Sequence, residues 1–293
     1  MKRRDFLKGA AGTAGLPLGG TAFGAGGEGE KPNIIVILAD DLGYGDISPY
    51  DGWIQTPNLE DMADEGMKFT DFHANCPVCS PTRAALVTGR YQQRTGIDGV
   101  VYASGDKLVH YHGLQTSEKT FAEELKQQGY ATGLFGKWHL GYQKRYNPLH
   151  HGFDRFVGYV SGNVDYVSHR DHTGRHDWWH GLERVREDGY VTHLINDYSV
   201  DFIEQHQDEP FCLYMSHEAV HSPFQKPGDP PIRGPHAQKR TWDAREAYRV
   251  MMEEMDAGIG RVMRTLQRLD LDRQTLVFFF SDNGARDPGS NVP

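Results

Sequence analysis

Short uninterrupted apolar runs recur along the chain, and each is followed by polar side chains. They cover residues 34–38, 130–135, 211–215 and 275–280. A run of this length that is rich in β-branched or aromatic residues and lacks polar alternation is typical of a strand buried in a parallel sheet. Segments with helical spacing lie between the runs, so the pattern predicts an α/β fold, with a mostly parallel central sheet sandwiched by helices.

Capping residues and apolar spacing predict the helices. They are expected from Thr56 to Gly66, from Thr116 to Gly129, and over residues 193–206 and 242–269, with a further strand over residues 67–72. The apolar residues of the last helix are spaced for one buried face, so we assign it no functional site.

Residues 142–192 show little periodicity and are rich in His, Asp, Gly, Tyr and Trp. A long irregular segment in a compact domain is more often functional than idle, so we predict a substrate-recognition insert. Exposed-type aromatic residues beside polar groups suit a carbohydrate. The candidate substrate contacts are Asn163, Asp165 and Trp178, with His217 from the later 211–223 region. A solvated loop packed by its own aromatic residues is the alternative.

A short helix is predicted around Cys79. Ser80 is a capping type, Pro81 suits a first helical position, and Gly89 suits a helix end. Cys79 then lies at the positive N-terminus of the helix, where anions bind. Arg83 in the first turn requires a negative partner there. With Cys76, Cys79 also forms a Cys-x-x-Cys pair, which leaves a redox pair or half a zinc site as alternatives, although the sequence has only three cysteines.

Adjacent carboxylates follow the first apolar run. Asp40 and Asp41 repel each other, so at the end of a buried strand they need a cation or several hydrogen-bond donors. Asp282 and Asn283 follow the last run in the same way. Ligands of open α/β sheets bind beyond the carboxyl ends of the strands. An exposed acidic turn is the alternative for the first pair.

The N-terminus predicts export. Arg3 and Arg4 precede a run of small, weakly apolar residues, and residues 22–24 resemble a small-x-small cleavage site, so residues 1–25 are predicted to be a twin-arginine signal read by the twin-arginine translocon. A disordered basic tail is the alternative. No other apolar run approaches the ~20 residues that span a bilayer. We therefore expect a periplasmic or secreted protein with no membrane contact after signal removal.

The composition narrows the choice of partner. The 293 residues suffice for a globular core, and the domain is expected over residues 33–293. The formal net charge of −9 argues against a nucleic-acid partner.

Two motifs carry a resemblance to a known family. Cys79-x-Pro81-x-Arg83, followed by Thr88-Gly89-Arg90, resembles the signature of the formylglycine-dependent sulfatases, and Gly136-Lys137-Trp138-His139-Leu140-Gly141 resembles their second signature. These enzymes include the arylsulfatases and N-acetylgalactosamine-6-sulfatases of the alkaline phosphatase-like superfamily. The resemblance implies that a formylglycine-generating maturation enzyme oxidises Cys79 to an aldehyde.

The same resemblance implies a site and a mechanism. The metal ligands would be Asp40, Asp41, Asp282, Asn283 and the oxidised Cys79, and this all-oxygen set favours calcium over zinc, with magnesium less suitable. The hydrated aldehyde would attack sulfur, and His139 would accept the proton that allows sulfate to leave. His221 would protonate the departing alcohol, with His217 as the alternative proton donor. Lys137 would neutralise a sulfate oxygen, and Arg83 would hold the diol.

The expected function is therefore hydrolysis of a sulfate ester of a saccharide or a small molecule. A phosphonate or phosphate ester hydrolase of the same superfamily and an inactive protein that binds sulfated glycans are the alternatives. The sequence stops at Pro293. The resemblance implies a further catalytic lysine and a C-terminal subdomain beyond that point, so we expect a shortened chain.

Overall fold

A mixed sheet of seven strands forms the centre of the fold in this computed structural model, which describes residues 31–103 and 112–285. The strands are β1 (Asn33–Ala39), β2 (Ala131–Lys137), β3 (Arg155–Tyr159), β4 (Trp179–His180), β5 (Glu183–Arg184), β6 (Phe211–Ser216) and β7 (Thr275–Ser281). Their order across the sheet is β5-β4-β3-β2-β6-β1-β7. The five longer strands are parallel, and the short β4 and β5 extend the sheet antiparallel at one edge.

Helices cover both faces of this sheet. They are α1 (Pro57–Glu65), α2 (Cys79–Thr88), α3 (Phe121–Gln127), α4 (Val191–Gln205) and α5 (Ala244–Arg268). Alternate side chains of β1 enter two separate cores: Ile35 and Ile37 pack with α4 and α5, whereas Val36 and Leu38 pack with α2. The prediction of a parallel sheet sandwiched by helices is confirmed.

The first residues of α2 and α3 differ from those that the sequence pattern predicted. Helix α3 begins at Phe121 rather than near Thr116, because Thr120 is its cap and forms a capping box with Glu123. Helix α2 begins at Cys79, so Pro81 is its third residue rather than its first. Gly89 ends α2 in the left-handed conformation, as predicted.

The strand predicted over residues 67–72 is wrong. This segment is irregular and its apolar side chains are exposed, with Met67 at 76%. The aromatic rings contact one another and the sheet edge instead of entering a core: Phe72 lies 6.3 Å from Phe69 and 5.5 Å from Phe280 between ring centroids. Residues with high β-propensity do not form a strand when no neighbouring strand pairs with them.

The predicted insert over residues 142–192 is not irregular throughout, because it contains β3, while its role in substrate recognition stays a prediction. This strand pairs in parallel with β2, with Phe156 opposite Leu134, and both side chains are buried. The rest of the segment consists of turns, short 3₁₀ helices, the small strands β4 and β5, and the beginning of α4.

Strand β7 is less buried than its apolar run predicted. Among the described strands it pairs only with β1, and Leu276 and Phe278 are 51% and 42% exposed. The predicted export signal lies outside the described residues. No helix in the described part of the chain is both long and apolar enough to cross a bilayer.

Candidate active site

The carboxyl ends of four parallel strands meet at one edge of the sheet and carry the predicted polar residues. Asp40 and Asp41 follow β1, Lys137 ends β2, His221 follows β6, and Asp282 and Asn283 follow β7. The register aligns these ends, since Leu38 and Gly136 both pair with Ser216. Helix α2 adds Cys79 and Arg83. Ligand atoms of Asp40, Asp41, Cys79 and His221 all lie within 4.8 Å of one another.

Carboxylate and amide oxygens line this site, and two of them accept no hydrogen bond, although Arg83 Nη2 lies 3.8 Å from one of them, Asp40 Oδ1. Asp41 Oδ1 accepts a hydrogen bond from Asn283 Nδ2 at 2.6 Å, and Asp282 Oδ1 accepts one from the Asp41 amide at 3.4 Å. Asp40 Oδ1 and Asn283 Oδ1 are buried without a hydrogen-bond partner among the residues described. A buried oxygen without a donor is costly, so these atoms fit the donor set of a hard cation.

Two buried cations face the carboxylates. Lys137 Nζ lies 2.5 Å from Asp40 Oδ2, and Arg83 Nη2 lies 2.8 Å from Asp282 Oδ2. Although burial alone would raise the pKa of the Asp282 carboxyl, Arg83 and then Lys137 hold it below its usual value. When all three carboxylates of Asp40, Asp41 and Asp282 are ionised, they outnumber the two cations, which leaves one negative charge uncompensated in the cluster. Burial, followed by the charge of Asp282, accordingly raises the pKa of the Asp40 carboxyl well above its usual value.

Hydrogen bonds hold the guanidinium group of Arg83 in place. Its Nε donates to Asp282 Oδ2 at 2.9 Å, and its Nη1 donates to Ser216 Oγ at 2.5 Å. The Ser216 hydroxyl donates to the Lys137 carbonyl at 2.6 Å. The prediction that Arg83 needs a negative partner is confirmed by Asp282. Sequence reasoning missed Ser216, although its position as the last residue of β6 marked it as a strand-end polar residue.

Cys79 begins α2 and is 9% exposed. Burial is the main cause that raises the pKa of its thiol, which Asp40 raises further, while Lys137 opposes the shift. The thiol therefore stays protonated at neutral pH, and a protonated thiol is a weak nucleophile and a weak metal ligand.

Both site imidazoles are neutral near pH 7, and their contacts assign the proton positions. His139 Nε2 lies 2.9 Å from the Val101 carbonyl, which can only accept, so Nε2 carries the proton. Burial, and then Lys137, lower the pKa of His139 well below its usual value. His221 Nδ1 donates in the same way to the Ser222 carbonyl at 2.5 Å, and burial, followed by Lys137, lowers the pKa of His221 to about 4.

The second nitrogen of His221 faces a carboxylate. Nε2 lies 3.4 Å from Asp41 Oδ2, so the two lone pairs oppose each other. A proton on Nε2 or a cation between these atoms removes that repulsion.

The predicted substrate contacts differ in their surroundings. Both carboxylate oxygens of Asp165 accept backbone amide hydrogen bonds, from Val167 and Ser168 and from Ile232 and Arg233. Trp178 is fully buried, and its Nε1 donates to Glu187 at 2.6 Å. These contacts stabilise the 142–192 segment and join it to residues 232–233, and they give no support to substrate binding by either residue.

Asn163 and His217 are the other two predicted substrate contacts. Asn163 Nδ2 donates to the Ser222 carbonyl at 3.1 Å, beside His221. His217 is fully buried, and neither of its ring nitrogens has a hydrogen-bond partner in the described structure. Burial lowers the pKa of His217 to about 3, so this imidazole, like that of His221, is neutral near pH 7. His221 is the better candidate for the proton donor because its Nε2 faces the Asp41 carboxylate at 3.4 Å.

The chain belongs to the sulfatase family: the family model described as Sulfatase matches residues 32–291. Human N-acetylgalactosamine-6-sulfatase (Homo sapiens) is 33% identical over 293 residues, which cover 92% of this chain and 54% of that protein. Arylsulfatase A from Bos taurus is 34% identical over 285 residues, covering 86% of this chain and 52% of that protein.

A solved structure agrees with these relatives. The crystal structure of Ps i-CgsB in complex with k-i-k-neocarrahexaose superposes with a TM-score of 0.76 at 30% identity, covering 88% of this chain and 59% of that chain. The family prediction is confirmed. The chain spans about half the length of the curated relatives it matches.

Proposed function

We propose that this chain is the catalytic part of a sulfatase that hydrolyses sulfate esters of a saccharide, using a formylglycine made from Cys79 and a bound calcium ion. The observation that carries the proposal is the cluster of Asp40, Asp41, Cys79 and His221 ligand atoms within 4.8 Å. The saccharide follows from the relatives, one of which is an N-acetylgalactosamine-6-sulfatase and another of which was solved with k-i-k-neocarrahexaose.

Asp40, Asp41, Asp282 and Asn283 would hold the calcium together with the group made from Cys79. Their oxygens match the preference of calcium for carboxylate and amide ligands, whereas zinc favours nitrogen and sulfur, and magnesium keeps several waters. The uncompensated negative charge and the unpartnered oxygens support a cation at this place. When bound, calcium supplies positive charge to a sulfate oxygen, and formylglycine supplies the hydroxyl nucleophile of an aldehyde hydrate.

The unmodified cysteine is unsuited to the reaction. Its thiol stays protonated because burial raises its pKa. Chemical conversion of Cys79 would give the site a hydroxyl nucleophile in place of this thiol, which agrees with the Cys79-x-Pro81-x-Arg83 motif.

The two imidazoles would move protons. Together with Asp41, a bound sulfate ester brings negative charge close to His221 Nε2, which favours the charged form of this imidazole. His221 would then donate the Nε2 proton to the departing alcohol. His139 keeps a lone pair on Nδ1, since Nε2 donates to the Val101 carbonyl, so it would accept the proton that allows sulfate to leave. Each such transfer supplies ~10²–10⁴ in rate.

The buried cations would stabilise charge. Lys137 is held by Asp40 at 2.5 Å and would face a sulfate oxygen. Arg83 is fixed by Asp282 and Ser216, so it would hold the nucleophile at the N-terminus of α2 rather than move during the reaction.

The test is sulfate release from sulfated saccharides by protein that is produced together with a formylglycine-generating enzyme. We expect release by the wild-type chain and none by Cys79→Ala, whose fold is checked by circular dichroism. Faster turnover of a phosphonate monoester than of every sulfate ester would assign the chain to the phosphonate and phosphate ester hydrolases instead. Binding of sulfated glycans with no release of sulfate would identify a non-catalytic binding protein.

A further inference from the structure

One short segment, residues 162–166, contacts the surroundings of both site imidazoles. Gly162 packs against His139: a Cβ atom at this glycine would lie 2.8 Å from His139 Nε2. Tyr166 holds the backbone of His221, since its hydroxyl donates to the His221 carbonyl at 3.0 Å. The segment itself is anchored to the loop after β6, because the Val164 amide donates to Glu218 Oε1 at 2.7 Å.

Asn163 lies between these contacts and reaches the ring of His221. Its Nδ2 donates to the Ser222 carbonyl at 3.1 Å and lies 3.5 Å from His221 Nδ1. The same carbonyl accepts the Nδ1 proton of His221 at 2.5 Å. A carbonyl oxygen has two lone pairs, so it accepts both hydrogen bonds.

Arg233 decides which way the Asn163 amide faces. Its Nη1 donates to Asn163 Oδ1 at 2.9 Å and to the Arg170 carbonyl at 3.1 Å. A guanidinium can only donate, so it must meet the oxygen of the amide and not the nitrogen. The amide nitrogen therefore points to the Ser222 carbonyl. With the amide reversed, two donors would oppose each other at Arg233, and the Ser222 carbonyl would face an acceptor.

We propose that Asn163 and Arg233 are positioning residues that act through the Ser222 carbonyl to hold His221 with its proton on Nδ1 and Nε2 directed at Asp41. This inference rests on the proposed function of His221 as the proton donor to the leaving group. It gives Asn163 a role other than the substrate contact predicted from the sequence. Arg233 had no predicted role, and it lies 70 residues from Asn163 along the chain.

The ring of His221 offers a direct test that requires no catalysis. In calcium-loaded protein labelled with ¹⁵N-histidine, the nitrogen chemical shifts distinguish a protonated from an unprotonated ring nitrogen, and His221→Gln assigns the signals. We expect wild-type His221 to show a protonated Nδ1. Asn163→Ala and Arg233→Gln should shift population to the other tautomer, and Arg233→Lys, which still donates to Asn163 Oδ1, should restore the wild-type signal. Arg261→Gln, which removes only a surface pair with Asp197, is the matched control. Unchanged His221 nitrogen shifts in both Asn163→Ala and Arg233→Gln would overturn the proposal.

Kinetics provide a second readout in the matured protein. A saccharide alcohol needs a proton to leave, whereas para-nitrophenolate leaves without one. Asn163→Ala should therefore lower kcat for a sulfated saccharide by ~10²-fold and change kcat for para-nitrophenyl sulfate only a few-fold. Equal losses for both substrates would contradict positioning of the proton donor. A wild-type protein that releases no sulfate from any ester would refute the proposed function, while the nitrogen shifts would still decide the role of Asn163 and Arg233.

Discussion

Replacement of Asp282 by alanine is the sharpest test of the calcium site. The variant removes one of three carboxylates, and it leaves the buried Arg83 without the partner that lies 2.8 Å away. Removing one partner of a buried ion pair costs about 3–5 kcal/mol, so we expect Asp282→Ala to be less stable than wild type even without calcium. Asp282→Asn keeps an oxygen at this position, and it replaces the alanine variant if that variant does not fold.

The increase in stability on addition of calcium separates the effect of lost metal binding from the effect of the lost ion pair. Calcium at 100 times its dissociation constant should stabilise the wild type by about 2.7 kcal/mol. At roughly 2–4 °C per kcal/mol, this is about 5–10 °C in Tm. If the loss of Asp282 weakens binding about 100-fold, the same calcium concentration stabilises the variant by only about 0.4 kcal/mol.

The assay is thermal unfolding in chelator and in calcium, supported by calorimetric titration of calcium. Asp197→Ala removes an exposed carboxylate that pairs with Arg261, so this variant should keep the full calcium increment. A full increment in Asp282→Ala would refute the assignment of Asp282 as a ligand. The absence of any increment in the wild type would refute the calcium site itself.

Three further predictions follow from burial and backbone geometry. Because Cys79 and Arg83 are both buried, a formylglycine-generating enzyme should convert Cys79 in the unfolded chain and not in the folded one. Mass spectrometry of the Cys79 peptide checks this, and conversion of folded protein would contradict it. Burial lowers the pKa of His151 to about 4 from 6.5, so between these pH values the unfolded chain binds more protons, and the free energy of unfolding falls as the pH is lowered. In urea titrations, His151→Phe should reduce this pH dependence by up to about 1.4 kcal/mol per pH unit. An unchanged slope would disprove the prediction. A Cβ at Gly136, where φ is +108°, would lie 2.0 Å from the backbone of β6, so Gly136→Ala should destabilise the protein by at least ~2 kcal/mol. Gly45 has open space around it, so Gly45→Ala should not have this effect. Equal Tm values for the two variants would exclude the clash.

The parts of the site that lie at strand ends could be predicted from the sequence. Residues 34–38 and 275–280 are apolar runs followed by polar residues, and parallel strands bring their carboxyl ends to one edge. The structure brings Asp41 and Asn283 together there, although 242 residues separate them. Composition and periodicity alone did not define the chemistry, because an acidic cluster near a cysteine suits several reactions. The motif around Cys79 indicated the reaction, through its resemblance to the sulfatase signature.

Other features depend on tertiary contacts that leave no periodic trace. Strand β3 was missed because it is only five residues long and its apolar Phe156 and Val157 are flanked by Arg155 and Gly158. The hydrogen bond between Asn163 and the Ser222 carbonyl joins two irregular segments, so no spacing in the sequence predicts it. The strand wrongly predicted over residues 67–72 shows the reverse error, because apolar residues there remain exposed.

The mass of the peptide that contains Cys79 tests the central claim most directly. The protein would be produced together with a formylglycine-generating enzyme, with Arg83→Ala, which alters the Cys-x-Pro-x-Arg motif, as the control variant. The account predicts that the wild-type peptide loses one sulfur and two hydrogen atoms and gains one oxygen, as conversion of a thiol to an aldehyde requires. An unchanged cysteine, with a known sulfatase converted in the same cells, would contradict it.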